Sequence, residues 1–326
     1  MNPPRRRFLQ LLAGAAALSA ASSGARAQSW PTRPVRIIVP FQPGGSTDIF
    51  ARLAAQKLSE QFGKQFYVEN VAGATGNVGT AQAARAAPDG HTLLIAFSSY
   101  VVNPTLFAKL PFDPEKDFAP VTLAVAAPNL VTVNPSLPAR NLKELVALIK
   151  SNPGKYTYTS GGVGTQAHLL AEMLRLSQGL DIVHVPFNGA APAIASAIAG
   201  HTPIAWATIA SAKQALESGQ LRALAVASKT RSQLLSDTPT TAEAGYPQIE
   251  GDSWVGLLAP AGTPNEIIGE LQREIAKIIA LPDVKERLPA LGFEAVGSTP
   301  QEFAVRIKLE TATWGEVIRA AHIKPE

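Results

Sequence analysis

Residues 68–86 read VENVAGATGNVGTAQAARA, and the core of that stretch, GATGNVG at 73–79, is a glycine-rich turn poised between a strand and a helix. Two ligands make use of such a turn. A dinucleotide lays its pyrophosphate on the helix N-terminus, and the next strand then ends in an Asp or Glu that holds the ribose. A small anion needs only the free amides and the positive end of the helix dipole. Here the feeding strand carries Glu69 and Asn70, and the next apolar run, HTLLIAF (91–97), ends in Ser98-Ser99-Tyr100 with no carboxylate. None of the five tyrosines has lysine four residues on, and no Gly-Lys-Ser/Thr occurs, so the short-chain dehydrogenase and P-loop signatures are both missing. The turn therefore reads as a glycine-rich αβ connection with Asn77 near a helix start, open to a small anion.

The same design recurs along the chain. VRIIVPF (35–41) runs through QPGGSTD into a helix in which Ile49, Leu53 and Leu58 recur at helical spacing. YTYTS (156–160) runs through GGVGT into QAHLLAEMLRLSQG, and IVHVPF (182–187) runs through NGAAP into AIASAIAG. IAWATIA (204–210), LRALAVAS (221–228) and WVGLLAP (254–260) add apolar strands. Apolar strands alternating with helices predict an α/β protein with mostly parallel or mixed sheets flanked by helices. The long extended run FAPVTLAVAAPNLVTVNPSLP (118–138) has no helix of its own and marks a crossing from a first lobe to a second. The boundaries expected are 28–127 plus 256–326 for lobe 1 and 128–255 for lobe 2. Three helical stretches begin near Pro264, Pro282 and Pro300, proline being favoured at a helix start. The last is expected to pack back on the first lobe.

The first 27 residues form a separate unit. Arg5, Arg6 and Arg7 precede an apolar run from Phe8 to Ala21 and a small-residue site, Ala25-Arg26-Ala27. That is the layout of an export signal, of Sec or twin-arginine type, with cleavage after Ala27. The formal net charge of +4 belongs to this segment: without its four arginines the chain holds 25 basic and 25 acidic residues. No basic field remains for nucleic acid. With no cysteine, the chain can form neither disulfides nor thiolate metal sites. The five histidines include no i,i+4 pair, so no metal site is expected. There is no Gly-x-Ser-x-Gly elbow and no evident acid–base carboxylate pair, and neither a catalytic residue nor a cofactor is expected.

The loops at 42–48, 73–79, 160–165 and 188–191 contain no lysine or arginine. Helix ends of this kind each stabilise an anion by about 0.3–1 kcal/mol, so several converging on one cleft can hold a carboxylate through main-chain donors alone. Asp48 falls in a first helical turn, where an acid is favourable by itself and would repel a carboxylate ligand; it reads as a brace for the loop rather than a contact. Ser46 and Thr47 are N-cap types. His168 reads as a packed or capping residue, His184 as locally satisfied, and Trp206 and Trp254 as core.

The ordered set VRIIVPFQPGGSTD, VENVAGATGNVG, APDGHTLLIAFSS, HVPFNGAAPAIASAIAG, DTPTTAEAGYP and WVGLLAPAGTP resembles the substrate-binding receptors of tripartite tricarboxylate transporters, the Bug receptors, over nearly everything after the signal. The resemblance implies a periplasmic, non-catalytic, monomeric receptor of the Venus-flytrap architecture. Its partners would be membrane transporter subunits and its ligand a di- or tricarboxylate or an aromatic acid. A sensing role, reporting occupancy to a sensor kinase, is the alternative. By position the implied contacts are Phe41, Gly44, Gly45, Ser46, Thr47, Asp48, Ala74, Thr75, Asn77 and Ser98 from the first lobe. Gly164, Thr165, Gln166, Phe187 and Thr208 would come from the second. Two departures from the family pattern are Phe187-Asn188-Gly189, where Tyr-Lys-Gly is common, and Ala207, where many members place an Asp beside the pocket. The missing acid points toward a plain carboxylic acid rather than an amino acid.

Overall fold

VRIIV folds as strand β1 (Val35–Val39), with every residue but Arg36 buried. Helix α1 (Ser46–Phe62) follows, and Phe50, Leu53, Ala54 and Leu58 form its buried face. Ile49, at the edge of that face, is exposed. This is a computed structural model, and it describes residues 30–44, 46–187 and 189–325. The export signal and Gly45 lie outside the described residues. β2 (Phe66–Asn70), a short 3₁₀ turn (Ala74–Gly76), α2 (Asn77–Ala84), β3 (Thr92–Phe97) and α3 (Ser99–Leu106) complete the first run.

The long extended segment is one strand, β4 (Phe118–Val133). After it come α4 (Leu142–Lys150), β5 (Thr157–Ser160), α5 (Gln166–Gln178), β6 (Val183–Pro186), α6 (Ala190–Ile198), β7 (Ile204–Thr208), α7 (Ile209–Glu217) and β8 (Arg222–Val226). The chain returns through β9 (Asp252–Pro260) and ends in α8 (Asn265–Ala280), α9 (Pro282–Ala290), β10 (Glu294–Ala295) and α10 (Pro300–Ala320). Proline at N1 starts both α9 and α10, and Thr299 closes a capping box with Glu302.

The strands run in the order β2-β1-β3-β9-β4-β7-β5-β6, with β8 and β10 paired to β4 off that path. β1, β2 and β3 are mutually parallel, as are β5, β6 and β7, while β4 and β9 cross the middle antiparallel to their neighbours. β2 is an edge strand, which accounts for its polar residues: Glu69 meets Arg36 at 3.3 Å instead of facing a core. The sheet is mixed because each parallel set is closed off by a strand of the central antiparallel pair.

Register shows how the two sets meet. Residues 118–128 of β4 pair with β9, and residues 129–133 pair with β7 and β8. Phe97, the last residue of β3, lies opposite Val255, which lies opposite Val125. Thr208, the last residue of β7, lies opposite Asn129. The carboxyl ends of both parallel sets thus arrive at the same short piece of β4. Val125 and Asn129 are four residues apart, or about 13 Å at ~3.3 Å per residue.

Separate apolar clusters flank this junction. One is centred on Val39, Phe50, Leu58, Leu93, Leu271 and Phe293, another on Leu130, Ile194, Ala205 and Ala212. The largest joins Trp206, Leu170 and Tyr158 to Trp254, Phe303 and Trp314 across the junction. α10 belongs to this third cluster. It packs on α3 as anticipated for the first lobe, but its C-terminal part also reaches α5, so it braces both parallel sets.

Candidate functional site

The carboxyl ends of β1, β2 and β3 feed three loops on one edge of the sheet. In the first, Gly44 adopts φ +90° and donates its amide to Asp48 Oδ2 at 2.9 Å. Asp48 is 3 % exposed, and its remaining acceptor capacity goes to Arg52 Nε at 3.0 Å and Asn70 Nδ2 at 2.8 Å. Burial pushes this carboxyl up, but Arg52, the Gly44 amide and Asn70 together hold it below the ordinary aspartate range. Asn70 also donates to Phe41 O at 3.1 Å, so one buried carboxylate and one amide side chain set the path of the whole loop. Thr47 is buried beside Asp48, and Phe41 meets Phe97 edge to face at 5.8 Å.

The second loop carries backbone strain. Ala74 and Thr75 sit at φ +46° and +54°, a left-handed region that costs a non-glycine residue about 1–3 kcal/mol. Asn103, on α3, donates to Thr75 O at 3.1 Å and to Asn77 Oδ1 at 2.8 Å, which holds the loop in that shape. Asn77 then begins α2; its own amide donates to Ala74 O and that of Val78 to Gly73 O at 3.4 Å, so the first amides of this helix close the preceding turn. Ser98 is buried at the end of β3.

Across the junction, β5 ends in the loop 161–165. Gly164 adopts φ +75°, and a Cβ there would lie 2.9 Å from Leu106 and 3.6 Å from Val102. Both of those residues are on α3, so this loop touches the opposite half of the molecule. Thr165 caps α5, accepting from the His168 amide at 3.3 Å and donating to Gly162 O at 2.8 Å. The neighbouring loop is held against it: Gly189 N donates to Gly161 O at 3.1 Å and Phe187 N to Ser160 O at 3.2 Å. Thr208 caps α7 from the end of β7, accepting from Ser211 N at 3.4 Å.

The structure therefore gathers the candidate residues into two groups, each at the carboxyl edge of a parallel set and both level with residues 125–129 of β4. Three positions differ from expectation in what they offer. The Gly44 and Gly164 amides are already committed to the side chains of Asp48 and His168. Gln166 is 2 % exposed and buries its amide at the junction, where a Cβ on Gly251 would lie 2.6 Å from its Nε2 and 2.8 Å from Trp314. Ala207 belongs to the apolar cluster of Leu130, Ile194 and Ala212, because Ala205 and Ala207 point to one face of β7 and Ile204 and Trp206 to the other. Asn70 and Asn103, which shape the first-lobe loops, were not anticipated. Asn70 was visible only as a polar residue ending a strand, and Asn103 lies in a helix hidden by Pro104.

The side chains with chemistry in this region serve the backbone. Asp48 braces the first loop, as its place in a first helical turn indicated. His168 is packed, and His184 shares a 2.8 Å hydrogen bond with Ser160. Trp206 and Trp254 are core residues at 2 % and 0 % exposure. Among the described residues no group of three His, Cys, Asp or Glu is placed to hold a metal ion, and no helix is long and apolar enough to cross a membrane.

Comparison with known proteins points the same way. The model for the tripartite tricarboxylate transporter family receptor matches residues 50–323. BugT from Bordetella pertussis is 36% identical over 300 residues, spanning 91% of this chain and 92% of BugT. The solved structure of R. palustris Rpa4515 with adipate is 34% identical with a TM-score of 0.78, covering 91% of this chain and 100% of that one. MatC (Rpa3494) from Rhodopseudomonas palustris with bound malate is 31% identical with a TM-score of 0.74, covering 89% and 100%. The fold and the loop edges are those of a two-lobed periplasmic solute-binding protein. With the family match spanning most of its length, the chain belongs to the tripartite tricarboxylate transporter receptors, which include the Bug proteins.

Proposed function

We propose that this protein captures a small organic carboxylate in the gap beside residues 125–129 of β4 and delivers it to the membrane subunits of a tripartite transporter. The observation that carries the reading is the register of the two parallel sets, whose carboxyl ends face the same four-residue span. Residues 28–127 with 256–326 form one lobe and residues 128–255 the other. The first-turn amides of α1, α2, α5 and α7 meet the ligand's oxygens, with Thr75, Ser98 and Thr208 as side-chain contacts and Phe41 and Phe187 as apolar walls. Ser46 supplies an amide at the start of α1. The span of about 13 Å suits a ligand of a few carbons held partly through water. Two relatives of the same family, solved with adipate and with malate, support a carboxylate as the ligand class.

Ligand contacts made by both lobes favour the closed arrangement over the open one. The hinge runs through the junction itself: β4 at Pro128-Asn129 and the returning chain, where Ala227 N donates to Asn129 O at 2.8 Å and Gly251 N to Ala227 O at 2.9 Å. The leader at residues 1–27 directs the protein to the periplasm, where the membrane subunits present their outer face.

The test is native mass spectrometry of freshly purified mature protein, followed by calorimetric titration with adipate, malate, citrate, benzoate and aspartate. One-to-one binding of at least one carboxylate is expected, and a ligand at 100 times its Kd stabilises the fold by about 2.7 kcal/mol. A folded protein that binds none of the five and carries no acid from the cell would reject the reading.

A further inference from the structure

His168, buried, and His184, half-buried, stack directly beneath the second-lobe ligand loop, with ring centroids 3.9 Å apart and planes 11° from parallel. Gly164 N donates to His168 Nδ1 at 3.1 Å. A backbone amide can only donate, so Nδ1 carries no proton and the ring is the neutral Nε2–H form. The main chain of the same residue holds the loop from a second direction: the His168 backbone amide donates to Thr165 Oγ1, which in turn donates to Gly162 O. His184 Nε2 shares a 2.8 Å hydrogen bond with Ser160 Oγ, and Ser160 Oγ accepts from Gly162 N at 3.3 Å. The loop from Ser160 to Thr165 thus rests on two imidazoles and two hydroxyls.

We propose that His168, backed by His184, is the positioning residue of the second-lobe ligand loop: its neutral ring turns the Gly164 amide inward and so aims the first-turn amides of α5 at the cleft. The proposal rests on the cleft being the ligand site. It gives the loop a built-in dependence on protonation, since an imidazolium has no lone pair for Gly164 and two stacked imidazoliums repel.

The surroundings keep both rings neutral. Tyr158 of β5 stacks on His184 at 4.8 Å and donates to Glu172 Oε1 at 2.6 Å. On α5, Glu172 is bound to Arg175 at 2.8 Å. Ile182 and Val183, at the start of β6, line the same cavity, which Ala321, Ile323 and Lys324 close from just beyond α10. Among the described residues the charged groups around the pair are thus one bridged carboxylate, Glu172, and two cations, Arg175 and Lys324, the first of them already engaged by that carboxylate. Burial first, and Arg175 second, push His168 down to about 4; burial and then His168 push His184 down to about 3, with Glu172 opposing weakly.

Two measurements on the full mature protein test this. In ¹⁵N-histidine spectra at pH 7, His168 should show an unprotonated Nδ1 acceptor, and it should gain its proton only well below the ordinary histidine range. An Nδ1–H tautomer, or titration near pH 6.5, would overturn the proposal whether or not a carboxylate binds. The second readout is calorimetric affinity for adipate. His168→Leu, which keeps the bulk and removes the acceptor, should bind about tenfold more weakly at pH 7, the cost of one lost buried hydrogen bond. His168→Asn places an acceptor where Nδ1 was and should rescue binding to within about threefold. Because adipate itself takes up protons in acid, the pH readout is the ratio of wild-type to His168→Asn affinity, which should fall below pH 5 and reach about half at pH 4. A constant ratio, or a folded His168→Leu that binds like wild type, would refute the positioning role. Failure of the wild type to bind any carboxylate would count against the receptor reading, leaving the imidazole spectrum to decide the loop.

Discussion

Asp48 accepts the amide of Gly44 at 2.9 Å from four residues further along the chain, and His168 accepts the amide of Gly164 at the same spacing in the opposite half of the molecule. Each glycine has positive φ and each precedes a helix N-terminus that faces the cleft. A side chain in the helix's first turn thereby fixes the turn that leads into it.

Removing the Asp48 brace should be costly. Asp48→Ala takes the acceptor from the Gly44 amide, Arg52 and Asn70 together, and loss of charge-assisted hydrogen bonds at a buried site costs about 2–3 kcal/mol. The Asp48 carboxyl is depressed in the folded state below its ordinary value of 3.8. Its contribution is therefore complete above that value and lost as pH falls through the folded one. Denaturant titrations of wild type and Asp48→Ala should differ at pH 7 and converge in strong acid.

The histidine stack gives the complementary acid response. Both rings are depressed in the folded state, so the unfolded chain binds protons first as pH falls from about 6.5. Their neutral-ring contribution is fully present above that point and is lost progressively down to about 4 for His168 and about 3 for His184. Thermal melts of wild type should show this decline. The double variant His168→Asn, His184→Gln should flatten it, and an unchanged slope in the variant would assign the acid sensitivity elsewhere.

Much of this arrangement was legible in the sequence, and the limits have physical causes. Apolar runs such as VRIIV and TLLIA are buried on both faces and announce their strands. Proline marked the starts of α9 and α10. α3 was hidden because Pro104 interrupts a helix that begins straight after β3. The glycine loops were recognised as donors, but which amides remain free depends on contacts formed only after folding, as with Gly44 and Asp48. The neighbours of Ala207 were not legible for a different reason: in a strand buried on both faces, sequence alone does not tell which apolar cluster each side chain joins.

Glycine at 164 is required on two grounds. Its φ of +75° is unfavourable for any L side chain, and a Cβ would meet Leu106 at 2.9 Å. Gly164→Ala should destabilise the fold by about 1–3 kcal/mol and push the loop off α3. Calorimetry should then record weaker carboxylate binding than wild type. As a control, Gly219→Ala has positive φ but nothing within 4 Å, so it should lose stability without losing affinity.

Asp252 carries an opposite pH signature at the junction of β9 and β4. It lies opposite Pro128 in the register of β9 and β4, with one carboxylate oxygen buried and unpartnered among the described residues and the other 3.7 Å from Arg306. Burial raises it to about 6 despite Arg306, with Glu310, Glu294 and Glu250 adding to the rise. A carboxyl raised in the folded state holds its proton more tightly there than in the unfolded chain. Its effect on stability is therefore neutral or favourable in acid and becomes a penalty as pH rises from about 4 through about 6. Asp252→Asn removes that penalty and keeps the shape, so it should stabilise the protein at pH 7 by up to about 3 kcal/mol and change little at pH 4. Urea midpoints at the two pH values decide it: a variant less stable than wild type at pH 7 would mean that the Arg306 pairing outweighs the cost of burying the charge.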